Sequence, residues 1–252
     1  MINRLELKLV KISQSFFYFC VWMLKFIIFS LFINIQLEGK RHIPKKGRFI
    51  LAANHQNFFD GFFVAYALGP FKKISFVIAT RSLRKKSMRL LARLMGSVLL
   101  GNSPEEYQRI LKKLNKILSH GGRVGIFPEG DVSPRPIPKK FKGGVAKLSI
   151  DSKTKVVPIF LSGTYNLRYL KYWLAKPTIT IKIGKPVELY NYANETGNNL
   201  EYIASILREE ITGLAHLEGI KDLNNLENIE DITSTPILNN YKLNLEEPII
   251  KA

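Results

Sequence analysis

The sequence predicts an α/β fold: a single domain with a mostly parallel central sheet flanked by helices, preceded by an N-terminal hydrophobic, membrane-associating helical region. Three observations carry this. Between residues 33 and 214, apolar runs of strand length alternate with amphipathic stretches of helical length, the pattern of a parallel sheet covered by helices. The chain has 252 residues, 46% of them hydrophobic, enough for one large domain with a sizeable core or at most two small ones. Residues Phe16–Ile33 (FFYFCVWMLKFIIFSLFI) form an eighteen-residue apolar run broken only by Tyr18, Lys25 and Ser30.

That first run sits at the lower edge of the length that spans a bilayer, and Lys25 near its middle is costly there. No small-residue cleavage site follows it, which argues against a signal peptide. Arg4, Lys8 and Lys11 precede it, while Lys40, Arg41, Lys45, Lys46 and Arg48 follow. Basic flanks stay on the cytoplasmic side, so a segment with two such ends most readily lies in the interface, or dips in and returns. A buried core helix and a single span with a short periplasmic end are the alternatives.

The rest divides as follows. Ile33–Leu37 reads as a short strand, Glu38–Gly47 as a polar turn, and Phe49–Ala53 as a buried strand. A helix starts near Phe58 and runs towards Leu68, followed by a strand at Ile74–Ala79. Arg81–Met95 reads as a basic helix with apolar residues three and four apart, and Ser97–Leu100 as a short strand. Ser103-Pro104-Glu105-Glu106 opens the next helix with an N-cap residue, a proline in the first turn and early acids, and that helix runs to about Ser119. Then come strand Arg123–Phe127, a Pro-rich loop to Phe141, helix Gly144–Ile150, strands Lys155–Leu161 and Thr178–Ile183, and amphipathic helix Asn198–Leu214. Past Ile220 the sequence turns Asn-rich and acidic with little periodicity, which reads as a loosely ordered tail. The expected organisation is therefore a membrane-associating segment at 1–36, the α/β domain at 37–220 and the tail at 221–252.

Thirty-eight Lys and Arg against twenty Asp and Glu leave a net charge of +18. The tail holds six acids and three lysines, net −3, so residues 1–220 carry +21. Such a body suits polyanions: nucleic acid, an anionic membrane face or an acidic carrier protein. Nucleic acid is disfavoured, because the aromatic residues concentrate in the apolar amino terminus instead of interleaving with the bases. The single cysteine, Cys20, excludes an intrachain disulfide and suits a reducing compartment. Four scattered histidines with one cysteine make no zinc cluster, and no metal or organic cofactor is indicated.

Parallel sheets place their function at the carboxyl ends of their strands. Asn54-His55-Gln56-Asn57-Phe58-Phe59-Asp60 (NHQNFFD) and Phe127-Pro128-Glu129-Gly130 (FPEG) both follow a predicted strand, so they share one rim of the sheet. Residues five apart are about 140° out of phase on a helix, so His55 and Asp60 meet only if His55 lies in the loop and Asp60 in the first turn beyond it. Asp60 would then fix one ring nitrogen and leave the other to take a proton from a hydroxyl. The other reading is helix capping, with Asn57 as N-cap and Asp60 as an acid in the first turn. No Gly-x-Ser-x-Gly elbow supplies a nucleophile, and Cys20 is remote.

These motifs together resemble the glycerolipid acyltransferase family typified by bacterial 1-acylglycerol-3-phosphate acyltransferase. NHQNFFD resembles its Asn-His-x-x-x-x-Asp motif and FPEG its Phe-Pro-Glu-Gly motif. Phe141-Lys142-Gly143-Gly144 resembles its Phe-Lys-x-Gly helix start, and Val157-Pro158-Ile159 its Val-Pro-x strand. The approach Glu38–Gly47 and the late Ile183-Gly-Lys-Pro186 also fit, and the resemblance spans about residues 30–215. It implies transfer of a fatty acyl group from a thioester, on coenzyme A or acyl carrier protein, to the free hydroxyl of a lysophospholipid such as 1-acylglycerol-3-phosphate. By the same resemblance His55 is the base, Asp60 orients it, Glu129 and Gly130 bind the acceptor, and Pro158 shapes the neighbouring strand. The implied setting is the cytoplasmic face of the cell membrane, among phospholipids.

Three departures bear on the acceptor. Asp131-Val132-Ser133 stands where the family has Thr-Arg-Ser, Gly101-Asn102 where it has Asp-Arg, and Gly143 where it has a second lysine. A bidentate arginine clamp is not replaced by Val or Asn, and Asp131 would repel a phosphate placed against it. Arg135, Lys139, Lys140 and Lys142, with the Gly143-Gly144 amides at a helix start, are the candidate substitutes. A different single-chain lipid acceptor, or a non-catalytic lipid-binding role, is the alternative.

Overall fold

The computed structural model describes residues 23, 31–69, 72–83, 86–94, 96–101, 103–133, 137–168 and 170–216. In chain order the strands are β1 (Asn34–Glu38), β2 (Phe49–Ala53), β3 (Ser75–Ala79), β4 (Val98–Leu100), β5 (Arg123–Ile126), β6 (Val156–Ser162) and β7 (Thr178–Ile183). The helices are α1 (Asp60–Leu68), α2 (Lys86–Leu94), α3 (Pro104–Ser119), α4 (Gly144–Ser152), α5 (Leu170–Leu174), α6 (Tyr192–Glu195) and α7 (Leu200–His216). The strands form one sheet in the order β1-β7-β6-β2-β5-β3-β4. Strand β2 pairs in parallel with β5 and β6, and β3 in parallel with β5 and β4, as the alternating pattern predicts. The parallel run stops at β6: β7 lies antiparallel to it, and β1 follows β7 in parallel, so these two strands run against the rest.

Why β2 sits mid-sheet follows from FILAA. All five residues are buried, so neither face can be turned to water. Phe49, Leu51 and Ala53 pack on one face with Phe63, Val64 and Ala67 of α1. Ile50 and Ala52 pack on the other with Ile110, Leu111, Leu114 and Leu118 of α3 and with α4 and α7. Helix α3 starts as its sequence predicts, with Ser103 Oγ accepting from the Glu106 amide at 3.2 Å.

Two expected boundaries move. The basic stretch does not form one helix over Arg81–Met95: Thr80–Ser82 is a short 3-10 turn and α2 covers Lys86–Leu94. Leu83 between them is 3% exposed, and its backbone (φ −111°, ψ 80°) is outside the helical region, so the chain leaves the helical path there. Helix α1 begins at Asp60, not near Phe58, because the Asp60 carboxylate draws the loop amides back onto itself. The apolar run up to Ser30, apart from Met23, and the acidic tail lie outside the described residues. Among the described residues no helix is long and apolar enough to cross a membrane.

Candidate active site

The loop from β2 to α1 puts its imidazole and carboxylate together. His55 Nδ1 lies 2.9 Å from Asp60 Oδ2. The same oxygen accepts from the backbone amides of Gln56 at 2.6 Å and Asn57 at 2.7 Å. Asp60 is fully buried, so these donors replace the water it has lost. The capping alternative is therefore corrected: Phe59 occupies the N-cap position without a side-chain cap, and Asn57 Oδ1 instead accepts from the Phe59 amide at 3.0 Å. Asp60 holds the tautomer with the proton on Nδ1, which directs the free Nε2 away from the carboxylate.

Asn54 fixes the mouth of β2. Its Nδ2 donates to Leu161 O at 2.9 Å and its Oδ1 accepts from Leu161 N at 2.7 Å, so the side chain acts as one further rung between β2 and β6. From the other side the FPEG loop closes on His55. The Phe127 ring stacks on the imidazole with centroids 4.1 Å apart and planes 17° from parallel, and Phe76 stacks behind Phe127 at 6.0 Å. Phe76 in turn faces Gly125 across the β3–β5 register, where a Cβ would come within 2.5 Å of its ring.

Glu129 is buried and faces the protein, not the cavity. Its Oε1 accepts from the His55 amide at 2.8 Å and its Oε2 from the Lys139 amide at 3.0 Å. Burial pushes its carboxyl above the ordinary value, partly offset by those amides and by His55 and Lys139. Gly130 has φ +80°, and a Cβ there would meet Lys142 Nζ at 2.6 Å, so a bare glycine lets that lysine lie across the loop.

His55 also lines a cavity of about 620 Å³ with a predominantly apolar wall. Gly130, Asp131, Val132 and Lys142 border it beside the imidazole, and Leu100, Tyr107, Ile110, Leu111 and Leu114 carry it along α3. Burial raises the Tyr107 phenol above its ordinary value. Of the sequence candidates, His55, Asp60, Glu129, Gly130 and Lys142 thus converge, with Glu129 beneath the loop. Pro158 lies within the sheet on β6, paired with Ala52 and in contact range of Gly184, and is not among the residues lining the cavity. Arg135 lies outside the described residues.

Sequence reasoning missed Asn54, Phe127 and the Arg81–Asp131 ion pair. Arg81 Nη2 lies 2.5 Å from Asp131 Oδ2 and 3.4 Å from the Gly130 carbonyl, so the acid that stands where the family has threonine is matched by a base from the end of β3. Asn54 and Phe127 lie inside the quoted motifs and were legible as members, though not as a strand rung and a ring stack. The ion pair joins residues fifty apart and leaves no local signal.

Residues 34–162 match the Acyltransferase family. A curated 1-acyl-sn-glycerol-3-phosphate acyltransferase of Borreliella burgdorferi is 27% identical over 192 residues, covering 75% of this chain and 74% of that protein. One of Chlamydomonas reinhardtii is 28% identical over 138 residues, 54% of this chain and 41% of that protein. The fold matches the crystal structure of the 1-acyl-sn-glycerophosphate (LPA) acyltransferase PlsC of Thermotoga maritima with a TM-score of 0.58 at 22% identity, over 87% of this chain and 84% of the other.

Proposed function

Because this chain belongs to the Acyltransferase family, we propose that it moves a fatty acyl group from a thioester, on acyl carrier protein or coenzyme A, to the free hydroxyl of a lysophospholipid such as 1-acylglycerol-3-phosphate. The work is done at the cytoplasmic face of the cell membrane, as a step of phospholipid synthesis. The observation that carries this reading is the His55–Asp60 pair, whose imidazole lines a predominantly apolar cavity. With Nδ1 held by Asp60, Nε2 takes the acceptor's hydroxyl proton as the oxygen bonds to the thioester carbonyl carbon. Collapse of the tetrahedral adduct breaks the carbon–sulfur bond, and the thiol leaves with the proton returned by the imidazolium. The apolar wall along α3 suits a fatty chain, and Lys142 supplies a cation where the acceptor's headgroup would sit. Glu129 supports the reaction through the His55 backbone, which it anchors.

The test is acyl transfer to a panel of lysophospholipids by purified wild type and His55→Ala. Turnover by the wild type and its loss in the variant are expected; a variant as active as wild type removes His55 from the chemistry. The Arg81–Asp131 pair favours a second reading, a single-chain lipid acceptor without a terminal phosphomonoester, since it engages a cation that a dianionic headgroup would use. Preference within the same panel separates the two.

A further inference from the structure

Apart from His55, the charged side chains that line the cavity, among the described residues, are one base and two acids: Lys142, Asp131 and Glu201. They belong to one stretch of wall. The Lys142 ammonium lies against the Gly130 backbone, where a Cβ would come within 2.6 Å of it, and Asp131 follows Gly130 directly. Glu201 lies in the first turn of α7, which packs on the residue after Lys142: a Cβ on Gly143 would come within 2.7 Å of the Leu200 Cβ. The loop that ends at Gly130 is the one whose Phe127 stacks on the imidazole, so these charges stand beside the reacting group.

Each acid is paired from outside the cavity, Asp131 with Arg81 and Glu201 with Lys140, and neither of those bases lines it. The carboxylate side chains are 55% and 69% exposed, so both pairs are weak, and a carboxylate has lone pairs for a second donor. Among the described residues Lys142 is in no ion pair. A phosphomonoester would bring about two negative charges to a wall that offers one ammonium and two carboxylates. A zwitterion would meet each of its charges with an opposite one.

We propose that this wall selects an acceptor with a zwitterionic headgroup: a single-chain lipid whose phosphodiester faces Lys142 and whose protonated amine is held by Asp131 and Glu201. Carboxylates reward N–H donors, so the amine is a primary one and not a quaternary ammonium. Asp131 and Glu201 are then specificity-determining residues, one attracting the right headgroup and both repelling a dianion. The place of this lipid as acyl acceptor rests on the acyl-transfer reading above, whereas the charge matching does not.

The experiment uses the full chain and three short-chain, monomeric lysolipids of one acyl length: 1-acylglycerol-3-phosphate, lysophosphatidylethanolamine, and the latter with its amine acetylated. Calorimetry without a donor reads binding, and product formation with an acyl thioester reads KM. Wild type should bind the amine-bearing lipid more tightly than the other two. Asp131→Asn and Glu201→Gln should each weaken that binding about two- to fivefold, and on the order of tenfold together. The same substitutions should tighten binding of the phosphomonoester and should not weaken that of the acetylated lipid. A merely structural role for the two acids would move all three lipids alike. Tighter binding of the phosphomonoester by wild type, equal weakening of the acetylated lipid in the variants, or binding of none of the three overturns the proposal. If the amine-bearing lipid binds in the expected pattern while no lipid turns over, acyl transfer fails and the headgroup assignment stands. Turnover of the phosphomonoester alone leaves acyl transfer standing and removes the zwitterion.

Discussion

Replacing Asp60 by Asn changes one atom and removes the only formal charge facing His55 from its own loop. The replacement has one workable orientation. Oδ2 collects three donors, His55 Nδ1 and the amides of Gln56 and Asn57, so the Asn oxygen must take that place. The new NH2 then enters the buried position of Oδ1, which has no hydrogen-bonding partner among the described residues. Three charge-assisted bonds become neutral ones, a loss of about 1 kcal/mol each, and the stranded NH2 adds about 1–3 kcal/mol. Relief from burying an anion offsets part of this, leaving a folded protein weakened by roughly 1–3 kcal/mol. The effect on rate is larger. An imidazolium forming about 4 Å from a carboxylate gains about 4 kcal/mol at an effective dielectric of 20, and losing that slows the chemical step about 10³-fold. The acceptor's KM should stay nearly unchanged, because no bond to substrate is removed. Single-turnover acyl transfer followed by mass spectrometry of the diacyl product reads the rate, and circular dichroism confirms the fold. A folded Asp60→Asn protein with kcat within about threefold of wild type would refute the assignment of His55 as a base held by Asp60.

Three other outcomes follow from the same geometry. Asn54→Ala strands the Leu161 amide and carbonyl between β2 and β6 and should cost about 2–4 kcal/mol in chemical denaturation, with no change in the donor preferred. Glu129 has its folded pKa raised by burial, so its contribution is most favourable below the ordinary carboxyl value and is lost as pH rises through the raised one. Glu129→Gln should therefore gain on wild type in denaturation midpoint between acidic and neutral pH; the reverse trend would mean that the amides, not burial, dominate that carboxyl. Asp131→Asn releases Arg81 at the mouth and should lower KM for an anionic lysophospholipid by about two- to fivefold, an effect that shrinks with added salt.

What could be read in advance had local causes. FILAA announces a strand buried on both faces because no residue in it tolerates water, and Ser103-Pro104 announces α3 because an N-cap hydroxyl and an early proline suit only a helix start. The convergence of His55 with the FPEG loop followed from both lying after parallel strands. Hydropathy carries no direction along a strand, so the reversal of β7 and β1 was invisible. Asp60 looked equally like a capping acid and an orienting one because it bonds backbone amides in both roles; only the positions of Phe59 and Asn57 separate them. Glu129 appeared to be a ligand for substrate because a loop carboxylate gives no sign of facing inward until its two amide partners are in place. Leu83, a single buried residue among bases, ended the continuous helix that periodicity alone had favoured.

The column of rings from Phe76 through Phe127 to His55 works as a strut. Its head is the imidazole and its foot stands on the bare backbone of Gly125 in the middle of the sheet. Flat rings in contact transmit displacement because close-packed groups have little give. One methyl group under the foot would therefore be felt as a tilt of the imidazole at the far end, two rings away. The alignment of the imidazole is thus set partly at a glycine whose neighbours are Phe76 and Ile74 and not the imidazole itself.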